Sequence, residues 1–152
     1  MANSIDLYPV GYASGVFDMF HIGHLNLLRR AKQQCATLVV GVADDEYVEG
    51  LKGELPVIPL IERMEIVAAL GIVDEVIVDR SEDKTFAWRE RHFDAIFKGD
   101  DWRGAPKGNS LEAAMAPLGV EVVYFPYTAH TSSTKLRRYL NAQLSGGSRS
   151  QA

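Results

Sequence analysis

Five short runs rich in β-branched and apolar residues recur along the chain: YPVGYAS (8–14), TLVVGVA (37–43), DEVIVD (74–79), DAIFKG (94–99) and VEVVYF (120–125). Stretches with helical spacing separate them, at about residues 22–34, 60–70, 84–92 and 110–116. Near-continuous apolar runs suit strands buried on both faces, as in parallel sheets. Strand and helix alternating at this interval predict βαβ units, hence a doubly wound α/β fold: a five-stranded parallel sheet with helices on both faces. The first helical stretch is the most regular, with Leu25, Leu28, Ala31 and Cys35 at three- and four-residue steps. Phe86 and Trp88 in the third are less regular. Sheets of this kind bind ligands at the carboxyl ends of their strands, near the switch in strand order.

With 152 residues, 47% of them hydrophobic and 24% charged, the chain suits one globular domain, expected over residues 1–144. The glycine- and serine-rich stretch LSGGSRSQA (144–152) can bury little, so residues 145–152 are expected to form a disordered tail. A net charge of −4 gives no basic face of the kind nucleic-acid binding needs, so an anionic ligand would be held by a local cluster. No apolar run approaches the ~20 residues of a membrane span, and no signal peptide is evident. The expectation is a soluble, cytoplasmic protein. Its single cysteine, Cys35, lies on the apolar stripe and reads as a buried thiol.

The stretch GVFDMFHIGH (15–24) joins the first strand to the first helix and sets His21 and His24 one turn apart at the helix start. A helix N-terminus offers free N–H groups and the positive end of its dipole, which attract phosphate. Gly23, lacking a Cβ, would let a ligand approach the backbone. The pair could donate to a phosphate and to the oxygen leaving it. A zinc site would want four ligands, and only His92, His130 and one cysteine remain, so no metal ligands are assigned. Histidines satisfied structurally at a helix start are the other alternative.

In this setting GVFDMFHIGH resembles the HxGH motif of the cytidylyltransferases. IPLIERMEIV (58–67), VDEVIVD (73–79), FKGDDWRG (97–104) and EVVYFPYTAHTSSTKLRRYL (121–140) follow in the order and near the spacing of glycerol-3-phosphate cytidylyltransferase. The resemblance covers roughly residues 10–140 and implies a Rossmann-like domain of the HxGH nucleotidyltransferase type. In that family CTP and a phosphorylated alcohol give a CDP-alcohol and pyrophosphate. By resemblance His21, His24 and Lys52 are catalytic, the histidines on α- and β-phosphate oxygens and Lys52, read as lying in a flexible glycine-flanked loop, closing over the substrates. The backbone of Val16 and Phe17 would lie along the phosphates and Asp101 beside the ribose. Ser132 and Ser133, opening the last helix, would hold the β- and γ-phosphates, with Tyr127, Thr128 and His130 completing the nucleotide site. Asp45, Lys52 and Lys84 would meet the acceptor, a small polyol phosphate such as glycerol 3-phosphate. Mg²⁺ would arrive with the nucleotide, and the family implies a homodimer. Arg63 matches a family arginine that either touches ligand or braces its helix.

The chain departs from the family in its final block, which there reads RTEGISTT and here YTAHTSST: Tyr127 replaces an arginine, Ala129 a glutamate, His130 a glycine and Thr131 an isoleucine. Gly71 stands where the glycerol-3-phosphate enzymes carry another arginine. A bidentate cation has become a neutral phenol. Compensation by Arg137, Arg138 or His130, another acceptor, an ATP-dependent transferase, or a nucleotide-binding protein without activity are the alternatives.

Overall fold

The computed structural model describes residues 7–127 and 130–147. Five strands form one parallel sheet in the order β3-β2-β1-β4-β5: β1 (Tyr8–Gly15), β2 (Cys35–Ala43), β3 (Glu75–Asp79), β4 (Ala95–Gly99) and β5 (Glu121–Phe125). All coincide with the β-branched runs. The order reverses at β1, which pairs with β2 on one side (Ala13 beside Val40) and β4 on the other (Ala13 beside Phe97). The crevice beyond the carboxyl ends of β1 and β4 is therefore the switch point.

Alternate side chains leave the sheet on opposite faces. Ala13, Val40 and Phe97 meet Leu28 and Ala31 of helix α1 (Ile22–Gln34) and Val67 of helix α3 (Leu60–Ala68). On the other face Tyr12, Val39 and Ile96 meet Ala87 of α4 (Thr85–Glu90) and Leu111 and Met115 of α5 (Pro106–Met115). Helices thus cover both faces. Cys35 is buried, as expected, but opens β2 instead of closing α1, and its thiol donates to the Ala31 carbonyl at 3.2 Å.

Three elements differ from the sequence expectation. Residues Asp45–Lys52 form a helix, α2, so Lys52 sits on its last turn and not in a flexible loop. Asp44 caps it by accepting from Tyr47 N at 2.7 Å, and Gly53 ends it at φ 77°, a left-handed conformation suited to glycine. Only Val48 of this helix is buried, so no helical period was visible. Helix α5 begins at Pro106, several residues before the expected start, with proline in its first turn. Helix α6 runs Ser133–Gly147, so residues 145–147 of the expected tail are helical, while 148–152 lie outside the described residues.

Candidate active site

A cleft of about 940 Å³ opens at the carboxyl ends of β1 and β4, between the N-termini of α1 and α6. It brings together His21, His24, Lys52, Lys84, Asp101, Tyr127, His130, Ser132 and Ser133 with Val16 and Phe17. Thr128 lies outside the described residues.

The connection from β1 to α1 is unusual backbone. Phe17 and Met19 have φ of 53° and 50°, a region that bulky residues seldom occupy. Asp18 between them is 2% exposed, and its carboxylate accepts from Val57 N at 2.8 Å and Ile58 N at 2.9 Å and pairs with Arg137 at 2.9 Å. One side chain so ties the turn to the chain before α3 and to α6. Arg137 also pairs with Glu54 at 2.9 Å.

His21 is the N-cap of α1, and the two histidines close a reciprocal capping box. His21 Nδ1 accepts from Gly23 N at 3.0 Å, and His24 Nδ1 accepts from His21 N at 3.3 Å. A Cβ on Gly23 would lie 2.9 Å from the His21 ring, so glycine here makes room for the imidazole as well as for any ligand. With both Nδ1 atoms accepting, each neutral ring carries its proton on Nε2. Ser133 is consistent with that tautomer: its hydroxyl donates to the Asp18 carbonyl at 2.7 Å, leaving its oxygen to accept from His21 Nε2, 3.3 Å away. The rings stack at 3.8 Å between centroids. Burial, then the neighbouring His21, push His24 down to about 3 against the pull of Asp18, and burial lowers His21 too. The structural and functional alternatives for these histidines merge: the cap fixes the neutral Nε2–H donors.

At the start of α6, Ser132 accepts from Lys135 N at 3.1 Å, which makes it the helix cap. Asp101, with a side chain 47% exposed, stands 3.5 Å from Lys107. The Tyr127 ring is largely exposed while its hydroxyl turns in over Gly99 and Asp101. Desolvation of that end and the Asp101 charge push the phenol up to about 12, so it is a neutral donor.

Arg63 is a brace. Only 1% exposed, its guanidinium donates to the carbonyls of Ile58, Val16 and Ala43 at 2.7–2.8 Å and pairs with Asp45. Asp45 therefore departs from its expected place. It lines a separate hollow of about 550 Å³ with Glu46 and Leu55, outside the cleft, and is engaged by Arg63. Lys84 does line the cleft, but as a buried residue paired with Asp79 at 2.7 Å.

Three cleft cations escaped the sequence reading: Lys98, Arg30 and Lys107, the last 3.5 Å from Asp101. Lys98, on β4, is 8% exposed, donates to Ser14 Oγ at 2.8 Å and lies 4.4 Å over the Trp102 ring. Its alternation within a buried strand was the only available signal. Arg30, on α1, stacks over Phe125 with a buried Nη1 that has no partner among the described residues. Arg138, considered as a substitute for the family arginine, is exposed and does not line the cleft. No cluster of three or more His, Cys, Asp or Glu able to hold a metal occurs among the described residues, and no described helix is long and apolar enough to cross a membrane.

A cleft at the switch point with helix N-termini, neutral imidazole donors and lysines can hold several phosphates in line. Comparison with known proteins agrees. The chain is 32% identical to an FAD synthase of Thermococcus sibiricus, over 83% of this chain and 86% of that one. It is 42% identical to an ethanolamine-phosphate cytidylyltransferase of Arabidopsis thaliana over 71% of this chain, but spans only 27% of the plant protein. A lipopolysaccharide core biosynthesis protein from Thermoplasma volcanium has the same architecture, with a TM-score of 0.68 at 27% identity over 82% of this chain and 99% of that one. Residues 12–139 match the cytidylyltransferase-like family model, and the chain belongs to that family of nucleotidyltransferases.

Proposed function

We propose that the protein transfers CMP from CTP to the phosphate of a small phosphorylated alcohol, glycerol 3-phosphate or a similar polyol phosphate, releasing pyrophosphate. The observation that carries this is the histidine pair: both Nδ1 atoms accept from backbone N–H groups, so two neutral Nε2–H donors are fixed at a helix N-terminus. In the reaction an acceptor phosphate oxygen bonds to the α-phosphorus while the bond from that phosphorus to the bridging oxygen breaks, and the electron pair leaves with pyrophosphate. Positioning and charge neutralisation do most of the work. His21 and His24 donate to the α- and β-phosphate oxygens, and Lys52 at the rim meets both substrates. Val16, Phe17, Ser132, Ser133 and His130 line the nucleotide phosphates, and Asp101 and Tyr127 the ribose side. Lys84 serves the acceptor. With Asp45 engaged by Arg63, acceptor hydroxyls lose the partner expected for them, and recognition of the acceptor rests on its phosphate.

Mg²⁺ is proposed to travel with the nucleotide. The cleft is rich in cations and its buried carboxylates are already engaged, Asp18 by backbone N–H groups and Asp79 by Lys84. That donor set suits a metal carried by phosphates, where it would neutralise charge on the leaving pyrophosphate. A homodimer is proposed from the family, with exposed Leu55, Val57 and Ile61 as apolar surface available to it.

A relative named for making FAD, an adenine dinucleotide, favours ATP as the alternative donor. The deciding experiment measures pyrophosphate release with Mg²⁺, crossing CTP, ATP, GTP and UTP against glycerol 3-phosphate, phosphocholine, phosphoethanolamine and sugar-alcohol phosphates. Release confined to CTP and a polyol phosphate supports the proposal. Release with ATP alone replaces the donor, and CTP binding without release from any acceptor favours a non-catalytic nucleotide-binding protein.

A further inference from the structure

Strand alternation divides the cleft. Ala13 and Phe97 face α1, whose first turn carries the histidines, whereas Tyr12 and Ile96 face α4 and α5. Ser14 and Lys98, two residues beyond Tyr12 and Ile96, continue on the α4/α5 side. There Lys98 Nζ meets Ser14 Oγ and the Trp102 ring, and Lys84 Nζ meets Asp79 and the Ser81 carbonyl at 2.8 Å, with the Tyr47 ring at 5.2 Å. All of these residues except Ser81 line the cleft.

The buried charges on this side do not balance. Lys84 and Asp79, 4% and 3% exposed, cancel; Lys98, 8% exposed, makes no ion pair among the described residues. A buried ammonium without a counter-ion is costly, and one hydroxyl and one aromatic face only partly offset that cost. An apolar side chain would serve the fold better at this position. What a cationic one supplies is a charge facing the cleft that an incoming anion would complete.

We propose that Lys98, with Lys84 and Ser14, forms a phosphate-binding floor that takes the phosphate of the acceptor while the histidine pair holds the phosphates of the nucleotide. Assigning the floor to the acceptor rests on the nucleotidyl transfer proposed above; binding of phosphate there does not. In-line displacement sets the attacking and leaving oxygens on opposite sides of the reacting phosphorus, and donors on opposite faces of the sheet end meet that requirement. The surroundings also tune the group. Burial, followed by the charges of Lys84 and Lys107, pushes Lys98 down to about 7 against the opposing pull of Asp79 and Asp101. Phosphate bound on the floor raises it again, and reciprocally phosphate binds best where Lys98 is protonated.

The test uses the full chain with inorganic phosphate as the probe, and needs no turnover. In protein labelled with ¹³C-lysine, the Lys98 side-chain signal, displaced by the Trp102 ring current, is followed against pH; Lys107→Ala removes the other lysine signal near that ring, Lys107 Nζ being 4.6 Å from its centroid. The expected result is a midpoint near neutrality without phosphate, moved up by about a pH unit or more with it. By calorimetry, phosphate affinity should weaken by up to about tenfold per pH unit above 7, through loss of one proton. Lys98→Met should bind phosphate ~10–100-fold more weakly and lose that pH dependence. A Lys98 midpoint that phosphate does not move, with only histidine signals responding, overturns the proposal. So does wild-type phosphate affinity in Lys98→Met. If that variant does not fold, the wild-type titration decides alone. A phosphate-linked Lys98 shift without pyrophosphate release from any nucleotide keeps the floor and removes the proposed reaction; release with an unresponsive Lys98 does the reverse.

Discussion

Two buried cations stand near one crevice and differ in what surrounds them. Around Arg63, donors on all three guanidinium nitrogens have partners from separate parts of the chain: Val16 after β1, Ala43 at the end of β2, Ile58 before α3 and Asp45 of α2. Around Lys98, one neutral hydroxyl and one indole face are the contacts. Arg63 holds the walls of the site together, with four of its five N–H donors engaged and its side chain closed off from solvent. Lys98 is nearly as hidden from solvent, 8% exposed against 1%, but makes no ion pair among the described residues. Burial alone does not separate a structural charge from a functional one; the unfilled hydrogen-bonding capacity does.

The largest expected effect tests the first half of that contrast. Arg63→Ala removes a buried cation and strands three carbonyls and a carboxylate, so unfolding in urea should show a loss of ~3–5 kcal/mol. Lys98→Met should leave stability equal to or above wild type, because an apolar side chain replaces an unpaired charge; a loss as large as that of Arg63→Ala would make Lys98 a second brace and end the contrast. Next in size, His21→Ala and His24→Ala should each reduce pyrophosphate release ~10²–10³-fold, about 2.7–4 kcal/mol, the usual cost of removing a donor to a developing oxyanion. Turnover within a few-fold of wild type in His21→Ala would refute its assigned role.

Smaller effects sharpen the picture through pH. The folded His24 holds its proton only below about 3, whereas the unfolded chain binds one below the ordinary histidine value of 6.5. The unfolded state therefore takes up more protons as pH falls from 6.5 toward 3, and stability declines across that window. Urea midpoints between pH 7 and 5 should fall in wild type and fall less in His24→Ala. Lys98, lowered to about 7 from 10.5, makes stability rise with pH between those values, a slope that Lys98→Met should remove. A smaller loss than for Arg63→Ala is expected from Asp45→Ala: the carboxylate is 38% exposed, but its removal leaves the fully buried guanidinium with carbonyl partners alone, which should cost ~1–3 kcal/mol of stability. A raised KM for the acceptor in that variant would return Asp45 to the substrate site.

Legibility followed the range of the interactions. The five strands were evident because a strand buried on both faces must be apolar throughout. Helix α2 was not, since its eight residues bury only Val48 and its signals are the flanking Asp44 and Gly53. The histidine pair could be picked out because its capping box spans four consecutive residues, 21–24. The choice between bracing and binding for Arg63 depended on carbonyls 5 to 47 residues away, and the pairing of Asp45 with it moved an expected acceptor residue out of the cleft.

By itself the sequence determined the βαβ alternation, the turn that begins α1 and the identity of the donors placed there, because these rest on side-chain period and on hydrogen bonds between near neighbours. Only the tertiary structure decided which cations are satisfied and which are not. Strand register sets Lys98 of β4 beside Ser14 of β1, and the packing of α4 brings Lys84 to Asp79. Charge compensation in a buried site is a property of neighbours that the chain assembles from afar, and it becomes visible only when they meet.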